Sequence, residues 1–125
     1  MFTAICDDEK NMQNCLVQLL QEYGAKKGID ILVDKFENGY DLLRSSRKYE
    51  IIFMDYQMNG IDGIETAKRI RESNYDSVII FISAYPEAAL DSFEVGTFRC
   101  LKKPVDKIKF FCAMDDYLKS IDHDN

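Results

Sequence analysis

The sequence predicts a doubly wound α/β fold, in which a five-stranded parallel sheet is covered by helices on both faces. Strand-like and helix-like segments alternate five times along the 125 residues, a pattern typical of parallel sheets. The strand-like segments include short apolar runs, as expected for strands that are buried on both faces. A chain of this length fits one domain with a single core, and it contains no internal repeat or linker.

The elements follow from hydrophobic periodicity and turn signals along the chain. The predicted strands are 2–6, 30–36, 50–54, 77–82 and 98–101, and the predicted helices are 10–23, 38–46, 62–72, 86–94 and 105–120. In the first helix, apolar residues recur at helical spacing and predict its buried stripe: Met12, Leu16, Leu19, Leu20 and Tyr23.

Several polar, glycine and proline residues mark the ends of these elements. Gly24 and Gly28 predict the turn region before the second strand. Asp62, with Glu65 three residues later, has the pattern of a capping box at the start of the third helix. Pro86 suits the first turn of the fourth helix, where a backbone N–H is not needed.

The fifth helix carries a broad apolar arc that predicts its buried face: Phe110, Phe111, Met114, Tyr117, Leu118 and Ile121. Ile108 and Cys112 fall outside this arc, among charged residues. They could mark a modest contact surface for a dimer partner, or they could be the scattered exposed residues that are normal on any protein.

Composition excludes several classes of function. The net charge of −6 argues against nucleic-acid binding by this segment itself, because Lys and Arg drive such binding. The four cysteines have neither C-x-x-C nor zinc-ligand spacing, which predicts reduced core cysteines in a cytoplasmic protein. The start MFTAICDDEK lacks the pattern of a signal peptide, and no apolar stretch approaches the roughly 18 residues needed to cross a bilayer.

Polar motifs stand where four of the apolar runs stop. Asp7-Asp8 follows the first strand, Asp55 the third, Ser83 the fourth and Lys103 the fifth. Because ligands of open α/β sheets bind at the carboxyl ends of the strands, these side chains should converge. Three carboxylates repel one another unless a cation is present, and oxygen ligands favour Mg²⁺, with Mn²⁺ as the alternative. A carboxylate, a hydroxyl and an ammonium group in one place predict a phosphoryl-transfer site.

Three stretches carry a resemblance to a known family: ICDDEK, IIFMDYQMNGIDGIE and VIIFISAYPEAALDSFEVGTFRCLKKPV. Together they resemble the receiver domain of two-component response regulators, over essentially the whole chain. The last stretch is most similar to receivers that precede a LytTR-type DNA-binding domain. The resemblance implies strand order 2-1-3-4-5 and a flavodoxin-like, three-layer α/β/α architecture.

The resemblance also implies roles for the site residues. Asp55 would be the phosphorylated residue, and Asp7, Asp8, Asp55 and the backbone carbonyl of Gln57 would hold the metal ion, with Asp8 the more direct ligand of the acidic pair. The Ser83 hydroxyl and the Ala84 backbone N–H would bind the phosphoryl group. Lys103, aimed by a cis bond to Pro104, would supply the positive charge. Lys102 is the less favoured lysine, because neighbours on a strand point to opposite faces.

Two positions depart from the family pattern. Cys100 stands where a switching Tyr or Phe is usual, and Phe98 could substitute for it, although an ordinary core ring is the alternative. Asn59 replaces a common proline, which should loosen the loop after Asp55, while Gly60 and Gly63 still permit tight turns.

The expected function is that of a receiver domain at residues 1–121, followed by a frayed polar tail at 122–125 that could begin a linker. A histidine kinase would phosphorylate Asp55, and the face formed by the fourth helix, fifth strand and fifth helix would respond. This face is also the candidate homodimer surface. DNA would be bound only by a separate output domain, and the chain would not be a turnover enzyme. One alternative is a stand-alone receiver that docks onto a protein partner. The other, an aspartate-nucleophile phosphohydrolase, is disfavoured because Gln57 replaces the second Asp that such enzymes need.

Overall fold

A five-stranded parallel sheet forms the middle of the protein. The structure is a computed structural model that describes residues 1–58, 60–73, 76–85 and 99–123. Its strands are β1 (Phe2–Cys6), β2 (Leu32–Phe36), β3 (Ile51–Asp55), β4 (Val78–Ser83) and β5 (Arg99–Lys102). They lie in the order β2-β1-β3-β4-β5, and every neighbouring pair is parallel. The predicted fold class and strand order are confirmed.

Helices cover both faces of this sheet. The described helices are α1 (Lys10–Lys27), α2 (Gly39–Arg44), α3 (Gly63–Glu72) and α4 (Lys107–His123). Alternate strand residues pack into two separate clusters, one with the buried residues of α1 and α4 and the other with those of α2 and α3. The result is the three-layer arrangement that the sequence predicted.

The burial of the strands places β3 at the centre of the molecule. All five residues of β3 are buried, whereas β2 at one edge has none that is fully buried. Ile51 and Phe53 face the α1–α4 cluster, and Ile52 and Met54 face the α2–α3 cluster. The last residue of this central strand is Asp55.

The C-terminal ends of three helices differ from the prediction. α1 continues to Lys27, so Gly24 lies inside the helix, and Gly28 alone ends it with φ 68°. Gly24 approaches the following segment closely, because a Cβ there would lie 2.7 Å from the Ile29 carbonyl oxygen. α4 continues to His123, three residues past its predicted end, and the prediction of a polar tail at 122–125 stays a prediction. α2 ends at Arg44, two residues before the predicted end.

The positions at 59, 86–94 and 98 lie outside the described residues. The predictions made for Asn59, Pro86, the fourth helix and Phe98 therefore stay predictions.

Two of the four cysteines are not in the core. Cys6 is buried and Cys100 is partly buried, but Cys15 and Cys112 are exposed. The expectation of four core cysteines is therefore wrong for two of them, because both lie on the solvent faces of helices. In the part of the chain that the structure describes, no helix is long and apolar enough to cross a membrane.

Candidate functional site

The predicted polar residues come together at the carboxyl edge of the sheet. Asp55 ends β3 between β1, which leads into Asp7, and β4, which ends in Ser83. The three side chains are buried: Asp7 is 1% exposed, and Asp55 and Ser83 are each 4% exposed. Lys103 follows β5 directly and reaches across the edge toward both carboxylates.

Three aspartates form an acidic cluster at this edge. One carboxylate oxygen from each of Asp7, Asp8 and Asp55 lies within 4.8 Å of the others. Burial, with the charge of Asp7 as a second cause, raises the pKa of Asp55 from 3.8 to about 6, although Lys103 opposes the change. Burial also raises the pKa of Asp7 above its ordinary value. Burial and mutual repulsion therefore disfavour the full negative charge of these carboxylates.

Lys103 supplies the positive charge of the site. Its Nζ lies 3.2 Å from Asp55 Oδ1, 3.5 Å from Asp7 Oδ2 and 4.0 Å from Glu9 Oε1. Burial lowers the pKa of this ammonium, but the carboxylates of Asp55 and Asp7 outweigh burial and raise the pKa above its ordinary value. The peptide bond to Pro104 is cis, as the resemblance implied. Lys102 is exposed to solvent.

Ser83 is placed to donate its hydroxyl proton. Its Oγ accepts a hydrogen bond from the Tyr85 backbone N–H at 3.0 Å, and its carbonyl accepts one from the Lys103 N–H at 2.9 Å. A hydroxyl that already accepts from Tyr85 retains its own O–H as a donor. Ala84, the next residue, is exposed.

The loop after Asp55 is tied to the site at both of its ends. The Gln57 backbone N–H donates to Asp55 Oδ1 at 3.3 Å, and the Gln57 side chain is exposed. Gly60 has φ 85° and makes the turn that the sequence predicted. Gly63 is required for a close approach rather than for a turn. A Cβ there would lie 2.3 Å from the Asp55 carbonyl oxygen, so the absence of a side chain lets α3 start directly against β3.

Cys100 takes the strand position where an aromatic residue was expected. It lies on β5 in register with Phe81 and packs against the α2–α3 cluster. Burial raises the pKa of its thiol. The thiol is therefore a small apolar group beside a phenylalanine ring.

Sequence reasoning missed Gln13, whose side chain contacts the backbone of the site residue Asp7. It is 5% exposed and lies on α1, and its Nε2 donates to the Asp7 carbonyl at 2.6 Å. The available signal was a polar residue three places before Leu16 on the buried stripe of that helix. Glu9 was also missed as a neighbour of Lys103.

The donor set fits a hard divalent cation. Asp7 Oδ2 is buried and accepts no hydrogen bond from any described residue, although Lys103 Nζ lies 3.5 Å away. A buried carboxylate oxygen without a hydrogen bond is costly unless a cation satisfies it. Three clustered carboxylates are the ligand type of Mg²⁺ and Mn²⁺.

Comparison with known proteins shows the family of this chain. A family model of the response regulator receiver domain matches residues 3–115. The sensory transduction protein LytT of Oceanobacillus iheyensis is 36% identical over 94% of this chain and 48% of its own length. The positive alginate biosynthesis regulatory protein of Pseudomonas aeruginosa is 34% identical over 84% of this chain and 42% of its own. The chain thus spans about half the length of these curated relatives, which are regulators of the predicted LytTR type.

Solved structures share the fold. The response regulatory domain of protein mrkE from Klebsiella pneumoniae is 24% identical, with a TM-score of 0.85 over 98% of this chain and 99% of that one. The response regulator TrrA from Thermotoga maritima, solved in complex with Mg²⁺-BeF, is 28% identical, with a TM-score of 0.78 over 93% and 97%. With its sheet order, its acidic edge and the match over residues 3–115, this chain belongs to the response regulator receiver domain family.

Proposed function

We propose that this receiver domain accepts one phosphoryl group from a histidine kinase on Asp55 and passes the change to an output domain. The observation that carries the proposal is the setting of Asp55. It is a buried carboxylate at the end of the central strand, 3.2 Å from Lys103 Nζ and clustered with Asp7 and Asp8. Receiver domains are signalling domains rather than turnover enzymes, and they partner with histidine kinases and output domains.

The ion proposed for the acidic cluster is Mg²⁺, with Mn²⁺ as an alternative. Asp7, Asp8, Asp55 and the backbone carbonyl of Gln57 would hold it. Two observations support this assignment: the orphaned Asp7 Oδ2 and the Mg²⁺-BeF complex of the related TrrA. When bound, the ion neutralises charge on the carboxylates and on the phosphoryl oxygens.

The transfer itself is a displacement at phosphorus. A carboxylate oxygen of Asp55 attacks the phosphorus of the phosphorylated imidazole, the P–N bond breaks, and its electron pair stays on the departing ring nitrogen. With a pKa of about 6, Asp55 is mostly ionised at neutral pH and can act as the nucleophile. Lys103 then pairs with a phosphoryl oxygen, while the Ser83 O–H and the Ala84 N–H donate to others.

Phosphorylation is proposed to change the surface formed by the predicted fourth helix, β5 and α4, and this surface would contact the partner. On α4, Ile108 is 73% exposed and Cys112 is also exposed, which supports a contact surface there for a second copy or a partner domain. Residues 1–121 would form the receiver unit, with Phe98 as a substitute for the missing ring at Cys100. The LytTR-type relatives are about twice as long, which supports a separate output domain. That domain would bind DNA, and the whole protein would be a cytoplasmic transcription regulator.

A labelling experiment tests the acceptor. We expect acetyl phosphate with Mg²⁺ to add one hydroxylamine-sensitive phosphoryl group to the wild-type chain, measured by intact-protein mass spectrometry. Asp55→Asn should remain unlabelled, because it removes the nucleophilic oxygen. Asp30→Asn, a matched change at an exposed aspartate, should label like wild type. Equal labelling of Asp55→Asn and wild type would show that another residue accepts the group.

A further inference from the structure

We propose that Gln13 is a positioning residue that holds the Asp7–Asp8 segment in the geometry needed to bind the metal ion. The inference rests on the proposed function, since it concerns the same acidic cluster. By this inference, α1 orients a metal ligand in addition to packing against the sheet.

The Gln13 amide joins three elements at one point. Its Nε2 donates to the Asp7 carbonyl at 2.6 Å and to the Phe36 carbonyl at 3.3 Å. The Phe36 carbonyl also accepts from the Asp7 backbone N–H at 3.0 Å. Asp7 follows β1, Phe36 ends β2, and Gln13 belongs to α1. The Asp7 peptide is therefore tied to the neighbouring strand and to the helix beneath it.

This tie is needed because the strand ladder stops there. β1 ends at Cys6, so the Asp7 carbonyl lies past the last paired residue, and a buried carbonyl without a donor costs free energy. A primary amide has two N–H donors, which matches the two carbonyls that Gln13 contacts. Gln13 is 5% exposed, so water has little access to replace it.

The two carboxylate oxygens of Asp7 have different surroundings. The Glu9 backbone N–H donates to Asp7 Oδ1 at 2.8 Å, which holds one oxygen in a local turn. Oδ2 lies on the other side, buried and without a hydrogen bond from any described residue. Gln13 fixes the backbone and Glu9 fixes one oxygen, so Oδ2 is presented toward Asp55 and Lys103 with little freedom.

The Gln13→Met variant separates the hydrogen bonding of Gln13 from its packing. Gln13→Met keeps the length of an unbranched side chain and removes both N–H donors. Gln18→Met is the matched control, because Gln18 lies on the same helix and is exposed. Calorimetric titration of each protein with MgCl₂ measures binding without any phosphoryl transfer. We expect the Kd for Mg²⁺ to rise about tenfold in Gln13→Met, as for other residues that orient metal ligands, and to stay unchanged in Gln18→Met.

Labelling kinetics with acetyl phosphate provide a second measurement. For Gln13→Met, the Mg²⁺ concentration that gives half the maximal rate should rise by the same factor, while the rate at saturating Mg²⁺ stays within about twofold of wild type. Partial unfolding would instead lower the maximal rate and leave the half-saturating concentration unchanged. If Gln13→Met does not fold, Gln13→Leu decides in the same titration, because leucine is an uncharged helix-forming residue that also lacks the N–H donors.

A Kd for Mg²⁺ within about twofold of wild type in the folded Gln13 variant would overturn the inference and leave the proposed function standing. A wild-type chain that binds no Mg²⁺ would overturn both the positioning role of Gln13 and the proposed function. The wild-type titration distinguishes this outcome from the first.

Discussion

At Asp55, burial and a neighbouring carboxylate act against the charge that the proposed reaction requires. Burial is the larger cause of its raised pKa, Asp7 adds to it, and Lys103 counteracts it. The Lys103 ammonium is 3.2 Å away, yet it is shared with Asp7 at 3.5 Å. One cation for two buried carboxylates leaves the cluster under-compensated, so an additional cation is expected to bind there.

This imbalance predicts an unusual pH dependence for the metal-free protein. Because the folded-state pKa of Asp55 lies near 6 and the unfolded value near 3.8, the folded state binds more protons between these values. The contribution of Asp55 to stability is therefore present at low pH and is lost as the pH rises through 6. In chelator, Asp55→Asn should raise the free energy of unfolding relative to wild type. This stabilisation should be larger at about pH 7.5 than at about pH 4.5, by on the order of 2 kcal/mol.

Urea unfolding of both proteins at the two pH values measures this difference. Asp30→Asn serves as the control, since it is the same substitution at an exposed position. An Asp55→Asn protein that is less stable than wild type at the higher pH would contradict the crowding of the carboxylates.

Among the elements, α3 shows how closely a helix can approach the site. The Asp62 carboxylate caps its first turn, accepting from the Glu65 N–H at 2.8 Å, as the sequence predicted. The Glu65 side chain does not complete the capping box but pairs with Arg69 at 3.2 Å. Gly63, the first helical residue, lies so near β3 that its N–H donates to the Tyr56 carbonyl at 3.1 Å.

Gly63→Ala should therefore damage both stability and phosphorylation. The new Cβ would lie 2.3 Å from the Asp55 carbonyl oxygen and 3.1 Å from Met54 Cγ, so α3 or the end of β3 has to shift. We expect a loss of about 1–3 kcal/mol, as for other overpacked sites, and a slower labelling rate on the folded fraction. Urea unfolding and acetyl phosphate labelling measure the two effects.

Gly28→Ala separates these effects. Gly28 has φ 68°, and nothing lies within 4 Å of a Cβ built there, so alanine costs only the backbone strain of a left-handed residue far from the site. Its stability should fall while its labelling rate is kept. Labelling of Gly63→Ala at the wild-type rate would mean that β3 does not move when α3 is displaced.

For the whole molecule, the acidic cluster links metal binding to folding. The unfolded chain does not hold Asp7, Asp8 and Asp55 within 4.8 Å of one another, so Mg²⁺ should bind the folded state preferentially. At a free Mg²⁺ concentration about 100 times Kd, mass action contributes about 2.7 kcal/mol. For a domain of this size, that should raise the thermal midpoint by on the order of 10 °C.

Calorimetry in MgCl₂ and in NaCl of equal ionic strength distinguishes binding from screening. Asp8→Asn, which removes a proposed ligand charge, should lose most of the Mg²⁺ effect. If NaCl raises the midpoint as much as MgCl₂, the cluster only experiences charge screening and the proposed metal site is wrong.

Much of this molecule follows from the sequence because the determinants are local. The alternation of apolar runs with helical stripes predicts the fold class, and the polar residues after Cys6, Met54, Ile82 and Leu101 predict which side chains meet. Parallel strands expose their carboxyl ends at one edge, so neighbours in space can be inferred without coordinates. The family resemblance contributed the strand order, which residue patterns alone left open.

Other features depended on distances between elements that are far apart in the sequence. The approach of Gly24 to Ile29 explains why a glycine lies inside α1, and the approach of Gly63 to Asp55 explains the glycine at the start of α3. The function of Gln13 depends on Phe36, 23 residues away, and the charge balance at Asp55 on Lys103, 48 residues away. Periodicity and propensity describe what a residue favours locally, whereas the partner of a buried polar group and the room for a Cβ exist only once the layers have packed.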